Sequence, residues 1–191
     1  MTKLIYVAII SAFVNNVVLS QGLGVDSAIE GSEKMSTALR LSLGVLVITF
    51  VSSLVTWPLG NYLLEKFGLS FLNSFCFLII GTILVWVFIK LMKLKSEKTY
   101  LKYKSLFSMI AINSAVLGCI QNNIIVGYSF LRSMVNSFFG ALGFGIVVIL
   151  LTGIRERIQY NDIPRPFEGV PILLVSSGLM AIAFYGFTGM I

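Results

Sequence analysis

The chain has 191 residues, 57% of them hydrophobic and 12% charged, with a mean hydropathy of +0.95 and a formal charge of +6. A soluble domain carries about 25% charged residues, so this chain lacks the polar surface to cover a globule and reads as a single all-α integral membrane domain over residues 1–191. The cations cluster between apolar runs, as orientation signals do, which excludes nucleic acid as the expected partner and points to the lipid bilayer. There is no histidine, and the two cysteines, Cys76 and Cys119, lie inside apolar runs, which indicates neither a disulfide framework nor a paired zinc motif.

Six runs are long enough to cross roughly 30 Å of hydrocarbon as helices. The first, 4–23, follows Lys3 without a small-residue cleavage site and reads as a span rather than a leader. It carries Asn15 and Asn16 at mid-run. The second, 37–57, ends at Pro58, where a proline is tolerated at a helix boundary. The third, 69–89, leads into the lysine-dense stretch 92–104, an orientation signal or a contact for anionic lipid. The fourth, 105–125, holds Asn113, Ser114 and Cys119, and near its outer end Gln121, Asn122 and Asn123, which are expected at the interface.

The fifth run, 133–153, contains Gly140-Ala141-Leu142-Gly143-Phe144-Gly145. This resembles a nucleotide loop only superficially, because it lies within an apolar helix, so close helix packing is expected. The loop that follows carries Arg155, Glu156, Arg157 and Asp162 and is stiffened by Pro164 and Pro166. It reads either as a docking surface for a cytoplasmic partner or as a helix end with orientation charges. The sixth run, 170–190, opens with Pro171.

Eleven Lys and Arg fall on one side of these runs, and only Lys3, Lys66 and Arg132 on the other. The positive-inside rule puts both termini outside. With three spans in each half, any repeat between halves is inverted. Asn15 and Asn113 lie 98 positions apart, Leu43-Gly44 and Leu142-Gly143 99, and Gly81 and Gly178 97. Inverted repeats place sites near the midplane, on interrupted helices. Asn15, Asn16, Asn113 and Ser114 are therefore candidates either to line a cofactor or ion site or to bond helix to helix. Apart from Arg40, no ionised residue falls inside a run, which argues against a proton pump acting alone.

Val14-Asn15-Asn16 through Leu23-Gly24, Asn113 through Gly118, Ile154-Arg155-Glu156-Arg157, Asp162-Ile163-Pro164 with Pro166-Phe167, and Gly178-Leu179-Met180 through Gly186-Phe187 together resemble the Rnf/Nqr family, in the branch of the Rnf A subunits. The resemblance covers nearly the whole chain. It implies six transmembrane helices as two inverted three-helix repeats. It also implies pairing with a homologous E subunit beside the B, C, D and G subunits, in the cytoplasmic membrane of a bacterium or archaeon. Such a complex passes electrons between ferredoxin and NAD, coupled to sodium or proton transport.

In that family, the A and E subunits share an intramembrane [2Fe-2S] cluster, each giving two cysteines. Here the corresponding positions hold Asp26, two residues after Gly24, and Ser114, next to Asn113. Neither is a usual iron–sulfur ligand, and Cys119, five residues on, points about 140° away around a helix. Three readings stay open: a cluster absent or moved, an oxygen ligand from Asp26, or a paralogue without electron transfer. A stand-alone small transporter with a polar midplane site is the alternative from another class.

Overall fold

The computed structural model describes residues 2–68, 72–95, 97–111 and 113–189. All regular structure among them is helical. α1 (Thr2–Ile9) continues as a π-turn, Ile10–Val14, and is followed by an irregular stretch and then α2 (Val25–Gly31). α3 (Met35–Pro58) runs into a second π-segment, Leu59–Leu64. Then come α4 (Asn73–Lys95), α5 (Glu97–Ala111), α6 (Ser114–Ile125), α7 (Phe130–Ile158) and α8 (Val170–Tyr185).

Among the described residues, five helical stretches are long and apolar enough to cross a membrane: Met35–Tyr62, Asn73–Leu91, Lys104–Ile125, Phe130–Ile158 and Val170–Thr188. The chain is a multi-pass membrane protein. The helix expected over 4–23 is continuous only as far as Val14, so the apolar helix there, Leu4–Val14, is too short to span. Its end has a local cause. The Asn15 N–H bonds the Ile10 carbonyl five residues back, the widened turn of a π-helix. The next side chain, Asn16, then takes over the backbone: its Oδ1 accepts from the N–H groups of Val18 and Leu19 and its Nδ2 donates to the Ala12 carbonyl. An amide that bonds its own neighbours in this way offers the chain an alternative to the helix.

Pro58 is the last residue of α3, at a helix boundary as expected, and the chain stays helical beyond it in the wider turns of the π-segment. The expected third span opens, and the sixth closes, on residues outside those described.

α3 and α7 form the centre of the bundle. Leu41, Val45 and Ile48 of α3 and Phe144, Val147, Val148 and Leu151 of α7 are buried. The small-residue stretch expected to pack closely does so. A Cβ on Gly140 would come within 2.9 Å of the Cys119 sulfur, one on Gly143 within 2.7 Å of the Ala12 carbonyl, and one on Gly145 within 3.1 Å of Ser42. α4 and α8 lie at the periphery, with Trp86 and Ile182 mostly exposed.

Candidate functional site: a junction of two interrupted helices

The helix expected over 105–125 is also interrupted. α5 ends at Ala111, Ile112 lies outside the described residues, and α6 begins at Ser114. Asn113 is extended, with φ −75° and ψ 111°, and caps α6: its Oδ1 accepts from the Ala115 N–H at 2.8 Å. Asparagine is among the preferred residues at such a cap because its oxygen satisfies a donor that the first turn leaves free.

The starts of α2 and α6 abut. Gly24, with φ +78°, is the residue before α2, and its N–H donates to the Ser114 hydroxyl at 2.8 Å. A side chain at Gly24 is excluded twice. Its φ is one that residues with a Cβ rarely adopt, and a Cβ there would lie 2.8 Å from that of Ala115, 3.0 Å from Asn113 Oδ1 and 3.2 Å from the Phe144 ring. On the adjoining residue of α7, a Cβ on Gly143 would lie 2.8 Å from Asn16 Nδ2. The first interruption therefore meets α7 at consecutive positions, with Asn16 beside Gly143 and Gly24 beside Phe144.

Of the expected midplane residues, Asn16, Asn113 and Ser114 belong to this arrangement and Asn15 does not. Asn16 and Asn113 are buried, at 0% and 2% exposure, whereas Asn15 is exposed and lines an outer groove with Leu19, Ser20 and Ile182. Asn16 and Asn113 share a local device, an Oδ1 that accepts from the N–H two residues on, and they lie 97 positions apart. Asn113 Nδ2 is buried without a hydrogen-bond partner.

The residues at the family's cluster positions do not fit an iron–sulfur centre, which is held by thiolates. The Ser114 hydroxyl already receives the Gly24 N–H. Asp26 is exposed in the first turn of α2, where a carboxylate complements the positive end of the helix dipole. Cys119 is buried against Gly140 of α7 and Cys76 is half-buried on α4. Among the described residues, no three or more His, Cys, Asp or Glu side chains come together to hold a metal ion.

Arg155 is drawn inside. Its guanidinium donates to the Ile29 carbonyl at 3.1 Å and to Ser32 Oγ at 3.3 Å, closing the C-terminal end of α2. The Ile29 carbonyl also accepts from the Ser32 N–H and hydroxyl, and a cation there suits the negative end of the helix. Glu156, Arg157 and Asp162 are exposed, which fits a docking surface and a helix end with orientation charges equally.

Sequence reasoning missed a second polar feature. Asn123, expected at the interface, is 2% exposed. Its Nδ2 donates to the hydroxyls of Ser53 and Ser137, and its Oδ1 accepts from Asn136 Nδ2 at 2.8 Å. Asn136 Oδ1 in turn accepts from Ser11 Oγ, which places α3, α6, α7 and the π-turn after α1 in one buried network. The signal in the sequence was Asn136-Ser137 inside an apolar run, four residues before Gly140.

Comparison with known proteins gives a family match over almost the whole chain. The family described as Rnf-Nqr subunit, membrane protein, matches residues 4–191. The chain is 35% identical over 191 residues to the A subunit of the ion-translocating oxidoreductase complex of Syntrophotalea carbinolica, covering 100% of this chain and 99% of that one. It is 35% identical over 187 residues to the A subunit of the Na(+)-translocating ferredoxin:NAD(+) oxidoreductase complex of Acetobacterium woodii, covering 98% and 97%. The A subunit of the ion-translocating oxidoreductase complex of Pectobacterium carotovorum is 33% identical over 188 residues, covering 98% and 96%.

Proposed function

Because the chain belongs to the Rnf-Nqr family of membrane subunits, we propose that it is the A subunit of an Rnf-type complex coupling electron transfer between ferredoxin and NAD to sodium or proton movement. The observation that carries this reading is the end-to-end match to relatives that bear that name, 98% or more of this chain in each of the three cases above. Its partners in this reading are a homologous E subunit together with the B, C, D and G subunits, in the cytoplasmic membrane of a bacterium or archaeon.

The chain then crosses the membrane six times, as two inverted three-helix halves with both termini outside. The α1–α2 pair makes the first crossing as an interrupted helix, and α5–α6 makes the fourth. The shared device at Asn16 and Asn113 and the meeting of the two interruptions at Gly24 and Ser114 support this arrangement. So does the distribution of cations, eleven on the side proposed as cytoplasmic.

The role proposed for the junction is positional. Asn16, Asn113 and Ser114 hold the ends of two half-helices at the bundle centre with oxygens in place of thiolates, and this chain carries no iron–sulfur centre. Glu156, Arg157 and Asp162 are proposed to face a cytoplasmic partner, with Arg155 fixing α2 behind them.

Affinity purification of the tagged chain from native membranes tests the assignment. Subunits bearing flavin, iron–sulfur and NAD sites are expected to co-purify. Isolation of the chain without redox partners overturns the reading in favour of a stand-alone transporter.

A further inference from the structure

We infer that the cavity beside Asn113 is a binding site for a neutral, membrane-dissolved ring compound that presents a carbonyl oxygen. The inference stands on the cavity itself and does not depend on the complex proposed above. Between α3, α4, α5 and α6 lies a cavity of about 140 Å³, walled by Ile48, Val85, Ile110 and Val116 and bordered by Asn113 and Thr82. An apolar cavity of about 150 Å³ stays dry and takes a molecule the size of benzene, so the volume suits a single small ring.

Its polar groups set the chemistry. Ala115 N–H requires an acceptor and takes Asn113 Oδ1, which fixes the amide so that Nδ2 is the free end. That Nδ2 has no partner, and its residue is 2% exposed. The Thr82 hydroxyl gives its proton to the Leu78 carbonyl, so of the described side chains that border the cavity Asn113 carries the donor without a partner. A donor in an apolar envelope recruits an acceptor oxygen. A bare cation would meet a donor and hydrocarbon where it needs several oxygens, and an anion would be stripped of water without a countercharge.

The way in is from the outer surface of the bundle. Leu78 is 47% exposed and Thr82 is exposed, one turn apart on α4, so the cavity opens beside them toward the surroundings of the helices rather than toward a loop. A ligand that reaches it is one already dissolved in the membrane.

Gly81 makes the inference testable, because it lines the cavity and a Cβ built on it meets nothing within 4 Å. Gly81→Leu therefore fills the site, and it replaces a helix-disfavouring residue on α4 with a helix-favouring one. Fluorine NMR of 4-fluoroacetophenone added to the full chain in lipid nanodiscs, with any subunits that co-purify, is read against empty nanodiscs and against 4-fluoroethylbenzene, which lacks the oxygen. A protein-bound ketone resonance is expected, with the ketone held about three- to tenfold tighter than the hydrocarbon. Gly81→Leu is expected to abolish both, and Asn113→Leu to remove the preference for the ketone. Absence of a bound resonance, equal binding of the two probes, or binding that survives Gly81→Leu overturns the inference.

Discussion

At the scale of single residues, two glycines separate backbone strain from crowding. Gly22 and Gly24 both have positive φ, +69° and +78°, but a Cβ on Gly22 meets nothing within 4 Å while one on Gly24 runs into α6. Gly22→Ala is therefore expected to cost about 1 kcal/mol, the strain of a left-handed residue. Gly24→Ala is expected to cost at least twice that and to separate the half-helices. Thermal unfolding of the two variants in the same detergent measures the difference, and equal losses would mean that the contact with Ala115 and Asn113 does not hold the junction. Asn123→Leu strips partners from Ser53, Ser137 and Asn136 together. Polar bonds between membrane helices are worth about 0.6 kcal/mol each and up to roughly 1.7, so a loss of about 1–3 kcal/mol is expected on the same instrument.

At the scale of elements, α2 is the piece whose position depends most on others. Seven residues long, it is far shorter than a helix that persists alone. It is held at its start by the Gly24–Ser114 bond and at its end by Arg155. Arg155→Met, which keeps the stem but not the guanidinium, is expected to raise amide exchange over 25–31 by about tenfold, equivalent to about 1.4 kcal/mol, and to leave exchange in the middle of α7 unchanged. Unchanged exchange in α2 would return Arg155 to the exposed docking set. The division of the chain into apolar runs was legible from hydropathy, and the packing of Gly140, Gly143 and Gly145 from their spacing in an apolar helix. The two interruptions were not legible as breaks, because Val14 to Leu23 and Ile110 to Leu117 stay apolar on average while one asparagine in each redirects the backbone. The signals present were Gly22 and Gly24 soon after Asn16, and Asn113-Ser114 as a cap and first turn. Choosing Asn16 over Asn15 required knowing which side α7 occupied, which no local pattern states.

At the scale of the whole molecule, the absence of thiolates at positions 26 and 114 makes a statement about the assembly. Asp26→Ala is expected to leave the iron, acid-labile sulfide and EPR signals of the purified complex unchanged, since that carboxylate is exposed at the start of α2. Loss of a signal in that variant would show an oxygen-held centre and overturn the positional role proposed for the junction. α4 and α8 leave much of their apolar surface outside the bundle. The bond from Gly24 to Ser114 also has a consequence for biogenesis, because its two ends are 90 residues apart in the chain. At roughly 5–20 residues per second, the ribosome takes about 5–20 seconds to deliver the second end after the first. Throughout that interval the Gly24 N–H lacks the Ser114 hydroxyl, whereas the N–H groups of Val18, Leu19, Ser20, Gly22 and Leu23 bond within the segment. The junction therefore closes only once α6 has been made, and the order of synthesis becomes a constraint on where this chain can be cut, fused or permuted.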